Sequence, residues 1–273
     1  MRKHKSWDYF EKRRVRSQLP LLWSLGHEAH RTENDLHTLL FPMLDAVSGS
    51  VESLLILARK DRIREMYAIS RMAYETSLNI CFILAKGPDA AVRAKRHAEQ
   101  KALRDLRRSV QFGDEVLQLT HSAADEVLND PRNQALLAEF ALKNGAEDRN
   151  WTPENIIQRL RIVRDKFGRP DSAGLAWSQF LYRHSSEMLH GTLFSALLAY
   201  GATDISGPPK TVSELRKRRR EQARLVLYLT GLFLDSLIRI LAGEMKRTDI
   251  LKKAKRAYSR GRLTIRLTGR RPG

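Results

Sequence analysis

Between residues 182 and 191 the chain reads Tyr-Arg-His-Ser-Ser-Glu-Met-Leu-His-Gly, and on a helix Arg183, Ser186, Glu187 and His190 fall within one narrow sector. A second stretch repeats the pattern, with Arg71, Glu75 and Asn79 spaced by four among Tyr67, Tyr74, Leu78 and Phe82. Each stretch therefore carries an Arg-x3-Glu pair in apolar surroundings. The chemistry open to such groups is acid–base work on a phosphate: a guanidinium holds the anion, an imidazole moves a proton, and a nearby carboxylate orients the ring. Arg183 and His190 are seven residues apart, about 10 Å along a helix axis, a gap that a long Arg side chain can lean across. The competing reading is structural. Two guanidiniums and two carboxylates can cross-pair, with Ser186, Asn79 and His190 completing the hydrogen bonds, and so fix helix register.

Helices must position these groups. Nearly every segment has helical period, and the sequence predicts an all-α fold, a single multi-helix bundle with helices near 6–18, 21–31, 33–59, 62–86, 89–127, 132–144, 153–167, 172–202, 212–245 and 247–259. Thr152-Pro153 reads as an N-cap and first-turn proline, Asn144-Gly145 as a helix stop, and Thr211-Val-Ser-Glu214 as a capping box. The segment Gly201–Lys210 contains Gly207-Pro208-Pro209 and cannot continue a helix, so 172–202 and 212–245 become long antiparallel neighbours. Leu175, Ala176, Phe180, Leu193, Phe194, Leu197 and Leu198 share the sector of Arg183, which places the charged patch on the core-facing side. Burying an unpaired charge there costs several kcal/mol, so the groups must be networked, hydrated or at an interface.

Charge divides the chain differently. Of the formal +18, residues 1–18 hold +5 and residues 246–273 hold +10, leaving +3 for residues 19–245. This pattern reads as a basic N-terminal arm (1–18), a helical bundle domain (19–245) and a basic C-terminal tail (246–273). In the tail, Lys252, Lys253, Lys255, Arg256, Arg260 and Arg262 are candidates for binding nucleic acid. Within 89–127, Val92, Leu103, Leu106 and Val110 form one stripe, while Arg93, Arg96, His97, Lys101, Arg104, Arg107 and Arg108 cover the opposite side. That side reads as a solvated face, with phosphate tracking as the alternative.

Several classes are disfavoured. The lone Cys81 permits no intramolecular disulfide and no multi-cysteine zinc site, and points to a reducing cytoplasm. The start of the chain has charge without the apolar stretch of a secretory signal, and the apolar run Leu225–Leu234 is too short to span a bilayer, so no stable membrane insertion is expected. There is no P-loop, G-x-G-x-x-G or G-x-S-x-G motif. His27, His30 and His37 share a helical face, but His27-Glu-Ala-His30 lacks the H-E-x-x-H zinc spacing. These read as surface histidines, so no metal and no cofactor is expected.

Arg183-x6-His190 resembles the R-x4-6-H motif of the HEPN superfamily of all-helical proteins, many of them metal-independent endoribonucleases of toxin and phage-defence systems. More narrowly, Arg71-x3-Glu75 together with Tyr182-x3-Ser186-x3-His190-Gly191 resembles a bacterial helical family of unassigned function, across residues 50–245. The resemblance implies that Arg183 stabilises phosphate charge and His190 is the acid–base group. His184 would be the polar follower and Glu75 the helper, with Arg71, Asn79, Ser186 and Glu187 in support. It also implies RNA rather than DNA as partner, attack of the 2′-hydroxyl on its own phosphate, and a site built across a homodimer. Two other readings stay open: a non-catalytic interaction module held by an Arg/Glu/His network, and a small-anion or nucleotide sensor using the same pair.

Overall fold

The computed structural model describes residues 3–31, 35–202 and 207–259; the side chains of residues 3–9, 35, 183 and 255–259 lie outside that description. In chain order the elements are α1 (Lys3–Arg31), α2 (Asp35–Leu57), α3 (Ile63–Lys86), α4 (Pro88–Asp105), β1 (Arg107–Phe112), β2 (Glu115–Thr120), α5 (Ala124–Asn129), α6 (Pro131–Glu139), α7 (Ile156–Phe167), α8 (Arg169–Leu189), α9 (Leu193–Tyr200), α10 (Val212–Glu244) and α11 (Thr248–Ser259). The fold is all-α apart from one hairpin. The bundle-like fold expected is present, and its residues group into two compact units, 1–85 with 159–273, and 86–158.

The larger unit is organised on α10. From Val226 to Ala242 every residue of this helix except Tyr228 and Arg239 is buried, and each fully buried Leu, Ile or Phe contributes roughly 1.5–3 kcal/mol. By length and composition α2 and α10 could each cross a membrane, but 83% of the apolar window of α10 is buried inside the protein. α8 runs antiparallel to α10 at backbone contact: the Gly174 N–H donates to Ser236 Oγ at 3.0 Å, and Ser178 Oγ donates to the Leu229 carbonyl at 2.8 Å. α3 meets the same helix through Tyr74, whose ring lies edge-on to Phe233 with centroids 5.9 Å apart.

α1 crosses the boundary expected at residue 18 without a break, passing through Pro20. Arg16 and Pro20 are both exposed, which places the proline on the water-facing side of the helix. Glu11, Arg14, Val15 and Gln18 are buried, and Gln18 Nε2 donates to the Gly231 carbonyl at 2.9 Å. The stretch read as a basic arm thus buries one helical face, Glu11, Arg14, Val15 and Gln18, while Arg13 and Arg16 are exposed. The tail is also partly folded: Ile250 and Ala254 of α11 are buried, and Arg247 pairs with Glu28 at 2.7 Å and Asp249 at 2.9 Å.

A buried ionic seam accompanies α10. Asp235, 8% exposed, lies 3.8 Å from Arg239, and Arg239 Nε donates to Asp171 at 2.8 Å. Burial lifts the Asp235 carboxyl from 3.8 to about 6, against the opposing pull of Arg239 and Arg14 and with a smaller upward push from Asp171. A carboxyl with a raised folded pKa holds its proton more tightly in the folded state. Stability from this group is therefore complete below pH about 4 and is lost as pH rises through about 6. Asp235→Asn should leave stability nearly unchanged at pH 4 and raise it by about 1–3 kcal/mol at pH 8, as read by urea unfolding at both values. Equal effects at the two pH values would contradict this assignment.

The smaller unit corrects the expected 89–127 helix. α4 stops at Asp105, and residues 107–120 form an antiparallel hairpin with Val110 opposite Leu117 and Phe112 opposite Glu115. The two-residue turn is Gly113-Asp114, with Gly113 at φ +60, the left-handed conformation such turns require. The basic side of α4 is neutralised within its own unit. Arg96 pairs with Glu139, Lys101 and Arg108 both pair with Glu147 at 3.3 Å, and Arg93 donates to the Trp151 carbonyl at 2.8 Å. His97 is buried edge-on to Phe140, and desolvation lowers its pKa.

Candidate functional site

The core face of α8 is Leu175, Ser178, Leu181, Ser185 and Met188, a helical series in which every member is buried. This is not the sector expected. Of the apolar residues expected to share one buried sector, Leu175 is buried, whereas Phe180 is 67% exposed and Leu193, on α9, 76%. Ser185 satisfies its buried hydroxyl on the Leu181 carbonyl at 2.8 Å. The polar patch of α8 is therefore on an open face: His184 and His190 are exposed, Ser186 and Glu187 half-buried. The side chain of Arg183 lies outside the described residues.

The two polar stretches do meet, but through other residues. Arg71 Nε donates to Glu75 Oε1 at 3.2 Å along α3, and Arg71 Nη2 donates to Tyr182 Oη at 2.8 Å. The guanidinium lies 4.2 Å from the Tyr182 ring centroid, adding a cation–π contact. Tyr74 Oη donates to Gln179 Oε1 at 3.0 Å, and Arg159 of α7 donates to Asn79 Oδ1. Burial, the Glu75 charge and a hydrogen bond to Glu75 raise the Tyr182 pKa, against the pull of Arg71 and Arg159. Every group named here has a partner. The cluster thus has the properties of a register lock across α3, α7 and α8, with Arg71 and Glu75 17% and 35% exposed.

This arrangement separates Glu75 from His190. Contacts along the pair run from Arg71 and Tyr182 to Tyr67 and His184, whose rings lie 6.4 Å apart, and on to Arg64 beside Gly191, so α3 and α8 are antiparallel. Tyr182, which holds Glu75, is eight residues from His190, about 12 Å along the axis. The basic residue at the His190 end is Arg64. Its Nη2 lies 3.3 Å from where a Cβ on Gly191 would stand.

The expected 172–202 helix breaks at this point, and the break exposes the imidazole. His190 is the C-cap of α8, with its N–H on the Ser186 carbonyl at 3.3 Å, and Gly191 follows at φ +63. A side chain at that φ is strained, which explains why a glycine follows the histidine. Thr192 then caps α9, accepting the Ser195 N–H at 3.2 Å, while its hydroxyl donates to Glu187 Oε2 at 3.4 Å. Glu187 is thereby tied to the turn beside His190.

Of the tail candidates, Lys252 and Lys253 are exposed on α11, while the side chains of Lys255 and Arg256, and residues Arg260 and Arg262 altogether, lie outside the described residues. His30 packs against Phe41 and His27 against Trp23, at ring-centroid distances of 4.7 and 6.1 Å. The signal for Arg159 and Gln179 lay in their i, i+3 and i+4 neighbours. Gln179 is three residues before Tyr182, on the same face, and an unpaired Asn79 at the next turn of the Arg71 series called for a donor.

The chain belongs to a Family of unknown function (DUF5677), whose model matches residues 37–207. That span includes both polar stretches and the His190-Gly191 turn. No curated protein and no solved structure matches the chain.

Proposed function

We propose that this protein binds RNA and cleaves it in the manner of HEPN ribonucleases, with His190 as the acid–base residue. One observation carries the reading: His190 stands exposed at the end of α8, at a turn that brings the Arg64 guanidinium against the adjacent Gly191. An imidazole with a cation nearby suits in-line attack of a 2′-hydroxyl, one group moving protons and the other stabilising charge on the phosphate. The base removes the 2′ proton, the new P–O bond closes a 2′,3′-cyclic phosphate, and the 5′ oxygen leaves with a proton returned to it. Arg183 keeps the phosphate-stabilising role that the resemblance implies, and Glu187 orients the turn through Thr192. Glu75 passes from the catalytic set to the Arg71–Tyr182 lock.

The lock also supports the second reading, an interaction module held by buried polar pairs, because its groups are mutually satisfied. The two readings apply to different ends of α8. We place the protein in the cytoplasm, in keeping with the lone and fully buried Cys81. We further assign it a homodimer, for which Trp177 and Phe180 on α8 and Leu193, Phe194 and Leu197 on α9 offer exposed apolar surface. The test is incubation of the full chain with single-stranded RNA in excess chelator. The expected products end in a 2′,3′-cyclic phosphate and a 5′-hydroxyl; intact RNA, or cleavage only when metal is restored, would overturn the reading.

A further inference from the structure

The α2–α3 turn and the first half of α10 concentrate cations of which the roles above use only Arg64. Two cavities meet at Asp61. The larger, about 760 Å³, is lined by Lys60, Arg62, Arg64 and Arg219, with Glu65 beside them and Leu57, Ile63 and Ala199 beneath. The smaller, about 250 Å³, is lined by Lys12, Arg59, Arg220 and Arg224.

Local structure produces this arrangement. The turn closes tightly, with the Lys60 and Arg62 N–H groups both on the Leu57 carbonyl at 3.0 and 3.2 Å, and Asp61 takes the left-handed conformation at φ 52 that aspartate tolerates. On α10 the run Arg216-Lys-Arg-Arg-Arg220 is sorted by helical rotation. Arg218 turns inward, donating to the Gly201 carbonyl and to Glu214, each at 2.5 Å, and fastens the chain before α10. Arg219 and Arg220, about 100° apart, fall into different cavities on either side of Asp61. Arg59, Lys60, Arg62, Arg64, Arg219 and Arg220 make no ion pair with any described carboxylate. Cations crowded in this way repel one another, and a polyanion relieves the repulsion.

We propose that these adjoining cavities form the track on which the phosphodiester backbone of RNA lies, ending at His190 through Arg64. The proposal rests on the RNA reading above. Charges spread over two cavities suit successive phosphates of a chain, whereas a single small anion would call for one converging point. Arg64 belongs to both places, lining the larger cavity and bringing its Nη2 to 3.3 Å from where a Cβ on Gly191 would stand.

The test is fluorescence polarisation with a labelled 2′-O-methyl RNA, which binds without being cleaved. The full chain is compared with Arg62→Ala/Arg64→Ala/Arg219→Ala and with a charge-matched control, Lys95→Ala/Lys143→Ala/Lys166→Ala, at exposed positions elsewhere. The track variant should bind at least tenfold more weakly, with a salt slope shallower by about 2, while the control stays within threefold. Arg219→Gln/Arg220→Gln, which keeps side-chain length on α10, should show the same direction. Equal losses in the track variant and the control, or no loss in the track variant, overturn the proposal. So does capture of phosphatidylserine vesicles through these residues by a protein that does not bind RNA. The two readings fail separately. Track-dependent binding by a protein that never cleaves retires His190 as catalyst and keeps the track, whereas His190-dependent cleavage with an intact KM in the track variant retires the track alone.

Discussion

Gly174→Ala is expected to cost at least about 3 kcal/mol, a large share of the roughly 5–15 kcal/mol that stabilises an ordinary domain. A Cβ at this position would stand 2.0 Å from the Leu232 carbonyl oxygen and 2.7 Å from Ser236 Oγ. The first obstacle is backbone, so no rotamer change makes room, and α8 must move off α10. That movement would also break the Gly174–Ser236 and Ser178–Leu229 hydrogen bonds, leaving polar groups of the core unpaired. Gly49 and Gly243 are the internal controls. A Cβ at either meets nothing within 4 Å, and both sit in helices, so alanine there should be neutral or stabilise by up to about 1 kcal/mol. Urea unfolding of the three variants reads the contrast directly. A Gly174→Ala protein as stable as Gly49→Ala would mean that α8 and α10 are not in contact there.

How much of this was legible in the sequence depended on whether a feature was local. The cap at Thr211 is present: Thr211 accepts the Glu214 N–H at 3.1 Å, and Glu214 closes a variant of the box by accepting the N–H of Lys210, one residue before the cap, at 2.9 Å. The helix expected from Thr152-Pro153 starts three residues later. Asn155 and Gln158 exchange side-chain bonds to each other's backbone N–H at 3.0 and 2.8 Å and so supply the box instead. The hairpin at 107–120 was signalled by Gly113-Asp114 between alternating residues, but the basic stripe of α4 carried the helical period past it. The break at Gly191-Thr192 was signalled just as locally.

The site was harder to read because α8 carries two apolar stripes. Trp177 and Phe180 are as hydrophobic as Leu181 and Met188, and periodicity alone does not say which stripe is buried. The choice of the exposed stripe rotated the helix and cross-paired the arginines and glutamates of the two stretches, whereas Arg71 pairs with Glu75 on its own helix and reaches α8 through Tyr182. Averaging obscured the charge in the same way. A net +3 over residues 19–245 conceals Arg59, Lys60, Arg62, Arg64, Arg219 and Arg220, which make no ion pair with a described carboxylate, because the smaller unit uses its own arginines in ion pairs with Glu139 and Glu147.

The second large effect belongs to His190. The side chain is exposed and its backbone already ends α8, so His190→Ala should move stability by no more than about 0.5 kcal/mol. A residue that transfers protons in the transition state contributes about 10²–10⁴ in rate, and its loss lowers kcat while leaving RNA affinity near its original value. Tyr182→Phe supplies the opposite signature. Removal of the hydroxyl that accepts from Arg71 should cost about 1 kcal/mol of stability without abolishing cleavage, since the lock lies about 12 Å from His190.

The most direct measurement is therefore single-turnover cleavage of a labelled RNA in chelator by wild-type protein and His190→Ala, with melting temperatures recorded on the same samples. If His190 is the acid–base residue, the wild type cleaves, the variant loses at least about a hundredfold in rate, and the melts superimpose. Equal cleavage by the two proteins, or a wild type that leaves RNA intact, would contradict it.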